Sequence, residues 1–136
     1  MVLDSSAIVA ILAAEPEAYS IADAIKTSRI RRISAASLLE LAIVLEARFP
    51  GTGSGKLDDF LAFANVRIEP FTEEQARVAQ MAYRRYGKGR HPAGLNMGDC
   101  FAYALAKVLD EPLLFKGNDF SQTDIRILPY GADAHS

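Results

Sequence analysis

The sequence predicts an α/β layer fold built round a mostly parallel sheet. Short apolar segments alternate with amphipathic helical stretches along the whole chain, which is the pattern of strand–helix–strand units. Acidic residues also recur where strands end and helices begin, the edge on which parallel α/β folds build their sites. With 136 residues, positions 1–136 read as one domain, long enough to bury an ordinary core.

Met1–Leu3 is a very short strand, and Asp4-Ser5-Ser6 supplies cap-forming residues for a helix over Ala7–Ala14, interrupted near Pro16. Glu17–Thr27 is a second helix with Tyr19, Ile21, Ala22 and Ile25 as its apolar set. Ile30–Ser34 is a strand carrying two arginines. A strong helix over Ala35–Phe49 is stopped by the flexible loop Pro50–Gly55. Lys56–Ala64 is helical and Val66–Phe71 extended. Thr72 caps the next helix, with Gln75 completing a capping box, and that helix runs to about Tyr86. Gly87–Met97 is a loop rich in glycine and basic residues. Gly98-Asp99 opens a helix whose residues Phe101, Ala104, Leu105, Val108 and Leu109 form one apolar face. Asp110-Glu111-Pro112 ends it, because the residue before proline resists the α region. Leu113–Phe115 is a buried-strand candidate, Lys116–Asp119 a polar turn, Ile125–Leu128 a final strand, and Gly131–Ser136 a frayed tail. Neither an internal repeat nor a low-complexity segment is apparent.

Half the residues are hydrophobic, which argues against disorder. Fifteen basic and 17 acidic residues give a net charge of −2, so any basic surface must be local. The single cysteine excludes an internal disulfide and fits a reducing compartment. No basic n-region with a long apolar core follows Met1, and no run reaches the roughly 18 apolar residues of a membrane span. The expectation is a soluble, cytoplasmic protein without a membrane contact.

Four acids fall where chemistry can occur. Asp4 and Asp119 follow strands, Asp99 starts a helix, and Glu40 has Ala36, Ser37, Ile43 and Val44 at helical neighbour positions. A carboxylate among such neighbours is either paired or directed into a cleft, because an unpaired buried charge is costly. Carboxylates converging on one edge need a cation or shared protons, and an all-oxygen set suits Mg²⁺ or Mn²⁺. Taken singly, each loop aspartate is better explained as a turn or cap residue. Other acidic sites fail on detail. A haloacid-dehalogenase-like phosphotransferase needs a second aspartate where Ser6 stands, there is no P-loop, and no Cys or His pair has zinc spacing. His91 and His135 read as surface residues, and Cys100 as a packed thiol.

Arg84, Arg85, Lys88, Arg90 and His91 form a basic run, with Tyr83 and Tyr86 interleaved. Alone, the run reads as a solvated helix end whose charges complement the helix dipole. Leading directly into Asp99, it reads as a grip on phosphates, with the aromatics stacking on unpaired bases. Arg29, Arg31 and Arg32 are a weaker cluster: a second RNA contact, a partner contact or plain surface.

Together, VLDSSAIVA, SAASLLELAIVLE, YGKGRHPAGLNMGDCFAYALAK and LLFKGNDFSQTDI resemble the PIN-domain nucleases, and within them the VapC toxins of bacterial toxin–antitoxin pairs. The resemblance runs nearly end to end. It implies a three-layer α/β/α sandwich with a mostly parallel central sheet of about five strands. It implies an acidic quartet of Asp4, Glu40, Asp99 and Asp119. Asp4 and Asp99 would be direct ligands of Mg²⁺ or Mn²⁺, with Glu40 and Asp119 bound directly or through water. Ser6 and Asn118 would orient carboxylates or a metal water, and Asp124 is a candidate fifth acid of unsettled role. The implied reaction is hydrolysis of RNA by a metal-activated water. The implied partners are an RNA substrate, a VapB-like antitoxin and a second copy of the chain. Two alternatives stay open at this point: a PIN nuclease with a housekeeping RNA-processing or DNA-cleaving role, and a non-catalytic binding module on the same fold.

Overall fold

The structure is a computed structural model that describes residues 1–131. All but the first residue of the expected frayed tail, His135 included, lies outside the described residues. In chain order the elements are β1 (Val2–Leu3), α1 (Ser5–Leu12), α2 (Ala18–Thr27), β2 (Arg31–Ser34) and α3 (Ala35–Arg48). They continue with α4 (Gly53–Phe63), β3 (Val66–Glu69), α5 (Glu73–Tyr86), α6 (Met97–Leu109) and β4 (Leu113–Leu114).

The strands form one sheet in the order β3-β2-β1-β4, and every pairing is parallel. The chain steps outward from β1 to β3 and then returns to the other side of β1. The order therefore reverses between β1 and β4, and the crevice at their carboxyl ends is where such folds bind ligands.

Period-2 alternation divides the short central strands between two cores. Val2 and Leu113 point to one face, where they pack with Ala82, Tyr86, Leu95, Leu105 and Phe120. Leu3 and Leu114 point to the other, with Ile8, Ile21, Ile33, Leu41, Leu45 and Leu57. Helices α5 and α6 thus cover one face and α1 to α4 the other, as a three-layer sandwich requires. Among the described residues, no helix is long and apolar enough to cross a membrane.

Several local expectations are corrected. Among the described residues the sheet has four strands rather than about five. The segment expected to be a strand at Ile125–Leu128 makes one parallel bridge, Leu113 to Ile127. Leu113 N–H donates to Arg126 O and Leu128 N–H to Leu113 O, each at 2.9 Å. Pairing ends there because β4 has only two residues and Pro129 has no N–H to offer.

Helix α4 begins at Gly53, inside the expected loop. A Cβ at Gly53 would overlap the carbonyl of Leu45, so glycine there permits close approach to α3 rather than flexibility. On α2, Tyr19 faces solvent, and the buried set is Ile21, Ala24 and Ile25. Thr72 caps α5 through Gln75 N–H. The Gln75 side chain does not close a capping box; its Nε2 donates to Pro70 O instead.

Helix α6 is not buried on one face alone. Gly98, Asp99, Cys100 and Ala102 to Ala106 are all buried, while Leu109 is exposed. The helix lies between α5 and the sheet with α3 across its start, and its alanines let those neighbours approach.

Arg31 and Arg32 are occupied within the fold. Arg31 donates to the carbonyls of Ile25 and Ala64, each at 2.9 Å. Arg32 pairs with Glu69 at 2.5 Å and lies 3.0 Å from Glu111. Neither is free to act as the RNA or partner contact that the arginine cluster suggests.

Candidate active site

Asp4 follows β1 directly and caps α1. Its Oδ2 accepts from Ser6 N–H at 3.0 Å and from Ser6 Oγ at 2.6 Å. Ser6 Oγ in turn accepts from Lys116 N–H at 2.9 Å, so one hydroxyl ties the end of β1 to the turn after β4. Asp4 is buried. Burial pushes its carboxyl up to about 6, against the two Ser6 hydrogen bonds, and the charges of Glu40 and Asp119 raise it further.

Asp99 sits in the first turn of α6 and is likewise buried. It forms a capping box with Asn96: Asn96 Oδ1 accepts from Asp99 N–H at 2.8 Å, and Asp99 Oδ2 accepts from Asn96 N–H at 3.1 Å. Burial pushes its carboxyl up to about 7, opposed by the Asn96 bond. Asp4 and Asp119 add to the rise, Asp119 also through a shared-proton contact.

Glu40 reaches the same place from α3. Its carboxylate lies against Gly98, where an added Cβ would overlap it. Ser5 Oγ donates to Glu40 Oε1 at 3.3 Å. The side chain is half-buried, and only one side of its helical surroundings shares in that: Ser37 is buried and Ala36 half-buried, while Ile43 and Val44 are 63% and 41% exposed. Contact with α6 and α1 covers it, which is a tertiary fact. Asp119 is exposed on the turn beyond β4 and completes the group through its proximity to Asp4 and Asp99.

The four acids therefore meet at the carboxyl edge beside the β1–β4 switch point. None of them takes part in an ion pair among the described residues. A set of oxygens with no basic partner has the chemistry for a hard divalent cation. Among the described residues, no three His, Cys, Asp or Glu side chains are arranged so that they could hold a metal ion. The fit is thus one of donor type and charge rather than of a closed coordination shell.

The remaining candidates separate. Asn118 is exposed, and its side chain makes no hydrogen bond among the described residues. Asp124 stands apart from the pocket, accepting from Tyr103 OH at 2.5 Å and Lys107 Nζ at 2.8 Å. Those two bonds outweigh its partial burial and hold its carboxyl below the usual carboxylate range. Arg84, Arg85, Lys88 and Arg90 are all exposed, and none enters an ion pair among the described residues. Arg85 lies over the Tyr86 ring at 5.1 Å.

The loop that carries Lys88 and Arg90 is ordered from below. Leu95 is fully buried, Lys88 N–H donates to Leu95 O, and Leu95 N–H donates to Tyr86 O, each at 2.9 Å. Burial pushes the Cys100 thiol up to about 11, in keeping with a packing role. A cavity of about 350 Å³ between α5 and α6 is lined by Phe71, Tyr83, Met97, Cys100 and Phe101 among others, and no acid reaches it.

Sequence reasoning missed Ser5, Asn96 and the Gly98 cradle. Asn96 had a readable signal, since Asn-x-x-Asp is capping-box spacing. Ser5 and Gly98 had none, because their roles depend on where α3 crosses α6.

A parallel sheet with a carboxylate cluster at its switch point defines an α/β protein with an acidic site at its carboxyl edge. The PIN domain family matches residues 1–126. Ribonuclease VapC of Mycolicibacterium smegmatis is 54% identical over 125 residues, covering 92% of this chain and 97% of the relative. The chain belongs to the PIN-domain family and, within it, to the VapC type.

Two solved structures share the fold. VapC20 of Mycobacterium tuberculosis, described as a sarcin–ricin loop cleaving toxin, superposes with a TM-score of 0.75 at 16% identity over 94% of this chain and 98% of its own. VapBC2 of Rickettsia felis, solved bound to a DNA fragment of its promoter, gives 0.74 at 17% identity over 96% and 98%.

Proposed function

We propose that this protein is a metal-dependent endoribonuclease, the toxin of a VapB–VapC type pair, acting in the cytoplasm on RNA phosphodiester bonds. One observation carries the reading. Two buried carboxylates, Asp4 and Asp99, stand with Glu40 and Asp119 at a sheet switch point without a basic partner, in a chain 54% identical to a ribonuclease.

Asp4 and Asp99 would hold Mg²⁺ or Mn²⁺ directly, and Glu40 and Asp119 directly or through water. A cation held there would neutralise the pocket and activate a water for in-line attack on phosphorus. The chain's own part is orientation. Ser6 fixes Asp4 through Oδ2 and Asn96 fixes Asp99 through Oδ2, so each keeps Oδ1 for the pocket. Ser5 and the bare backbone of Gly98 hold Glu40 facing them. Arg84, Arg85, Lys88 and Arg90 bind RNA phosphates, while Tyr83, 41% exposed, offers a ring to an unpaired base.

The partners are an antitoxin of VapB type and a second copy of the chain. Leu39, Ile43 and Met97, 64%, 63% and 71% exposed, supply apolar surface for such contacts.

The test is cleavage of total RNA by purified protein with Mn²⁺, parent against Asp99→Asn. The expected result is cleavage by the parent and none by a folded Asp99→Asn. Cleavage by that variant at the parent's rate overturns the assignment.

A further inference from the structure

Asp99, Tyr103 and Lys107 are spaced four residues apart on α6 and so lie along one stripe of the helix. The chain after β4 runs along that stripe. Asp119 approaches Asp99 at its start. Five residues later Asp124 is bonded to Tyr103 and Lys107, the next two members. Between these points Phe120 is 1% exposed, its ring edge-on to Phe115 at 4.9 Å. Thr123 Oγ1 donates to Phe120 O at 2.8 Å and tightens the bend.

At the front of the segment, Lys116 N–H is held by Ser6 Oγ at 2.9 Å, and its ammonium by Glu15 at 2.6 Å. Asp119 itself is exposed, and its shared-proton contact with Asp99 joins two carboxyls that repel once both are ionised. Its place over Asp99 is therefore set by where the flanking chain is pinned.

We infer that Asp124 is the positioning residue for Asp119, its carboxylate fixing the register of residues 119–124 along the Asp99–Tyr103–Lys107 stripe of α6. Both of its oxygens are committed to α6, so it is not one of the pocket's ligands. The Tyr103 bond does most of this, because Tyr103 is 5% exposed whereas Lys107 is half exposed and its ion pair is screened. The inference rests on the nuclease reading of the pocket.

The test uses three variants of the full chain. Tyr103→Phe removes one oxygen and leaves the packing, Asp124→Asn weakens both bonds, and the double variant combines them. Hydrogen exchange at amides 117–121, Mn²⁺ affinity by calorimetry and steady-state RNA cleavage are measured for each, with cooperative melting as the check on folding.

Each single variant is expected to exchange faster at 118–120. Each should weaken Mn²⁺ binding and lower kcat by about tenfold, with KM little changed. The double variant should be no worse than either single one. If Asp124→Asn weakens Mn²⁺ binding while Tyr103→Phe matches the parent in exchange and affinity, Asp124 acts as a ligand and the inference falls. It falls also if neither variant changes exchange or affinity. Should Asp124→Asn fail to fold, the comparison of Tyr103→Phe with the parent decides. Asp99→Asn separates the two claims: its loss of cleavage beside parent-like Tyr103→Phe and Asp124→Asn overturns positioning alone, whereas cleavage kept by Asp99→Asn overturns the site reading beneath it.

Discussion

The carboxylate of Glu40, carried by α3, rests on the backbone of Gly98 at the start of α6, in the space a Cβ would take. The glycine is helical, so alanine is allowed there and is intrinsically favoured by about 1 kcal/mol. Gly98→Ala must therefore act by displacing Glu40. The expected outcome is RNA cleavage reduced by at least about tenfold with the fold retained by circular dichroism. Unimpaired cleavage would show that the position of Glu40 does not matter to the reaction.

The paired burial of Asp4 and Asp99 sets the sign of a pH effect in metal-free protein. Both folded carboxyls are raised, to about 6 and about 7, above the ordinary 3.8. Their contribution is thus complete below pH ~4 and lost as pH rises through ~7, opposite to an ion-paired aspartate. Metal-free protein should therefore lose stability steadily between those limits. Urea unfolding in chelator should show it, and Asp99→Asn should flatten the curve and be the more stable form at pH 8. Added Mn²⁺ should stabilise the parent more at pH 8 than at pH 5. A parent and variant with the same pH slope would refute the argument.

Ser6 Oγ joins the Asp4 carboxylate to the turn that leads to Asp119. Ser6→Ala removes two hydrogen bonds and strands the Lys116 N–H. The expected cost is about 1–3 kcal/mol in urea unfolding. A drop in cleavage of about 10- to 100-fold should accompany it, because Asp4 loses an orienting donor. Stability lost without activity would make Ser6 a purely structural link.

How much of this was legible depended on whether the cause was local. Asp4, Asp99 and Asp119 are visible in the sequence because strand ends and helix starts are local events, and a parallel sheet brings such points to one edge. Glu40 is visible as an anomaly, but the reason lies elsewhere: Ile43 and Val44 on the same helix are exposed, and the cover comes from α6. The burial of α6 on nearly every side is likewise hidden. Periodicity reports one partner face, and α6 has the sheet, α5 and α3. The missing fifth strand fails for a related reason, since Ile125–Leu128 has strand composition and only two residues of β4 to pair with. Asp124 is the clearest case. Its segment looks like part of the acidic motif, and only the geometry shows that its oxygens belong to Tyr103 and Lys107.

Arg84, Arg85, Lys88 and Arg90 supply the last prediction, and it concerns binding rather than chemistry. All four are exposed and outside the described ion pairs, so their charges are available to phosphates. For single-stranded RNA each neutralised phosphate adds about 0.7 to the slope of log affinity against log salt. Replacing all four with glutamine should therefore flatten that slope by up to about 3 and weaken binding at low salt. None of the four is ion-paired to the acids among the described residues, so Mn²⁺ affinity should stay at the parent's value, and the melting temperature should fall only by the small loss of the Arg85–Tyr86 contact. The measurement is fluorescence anisotropy on a labelled single strand across a salt series, using Asp99→Asn as the background so that substrate survives. A slope equal to the parent's would mean that this run is a solvated helix end, its charge complementing the carboxyl terminus of α5, and that RNA reaches the acids from another side.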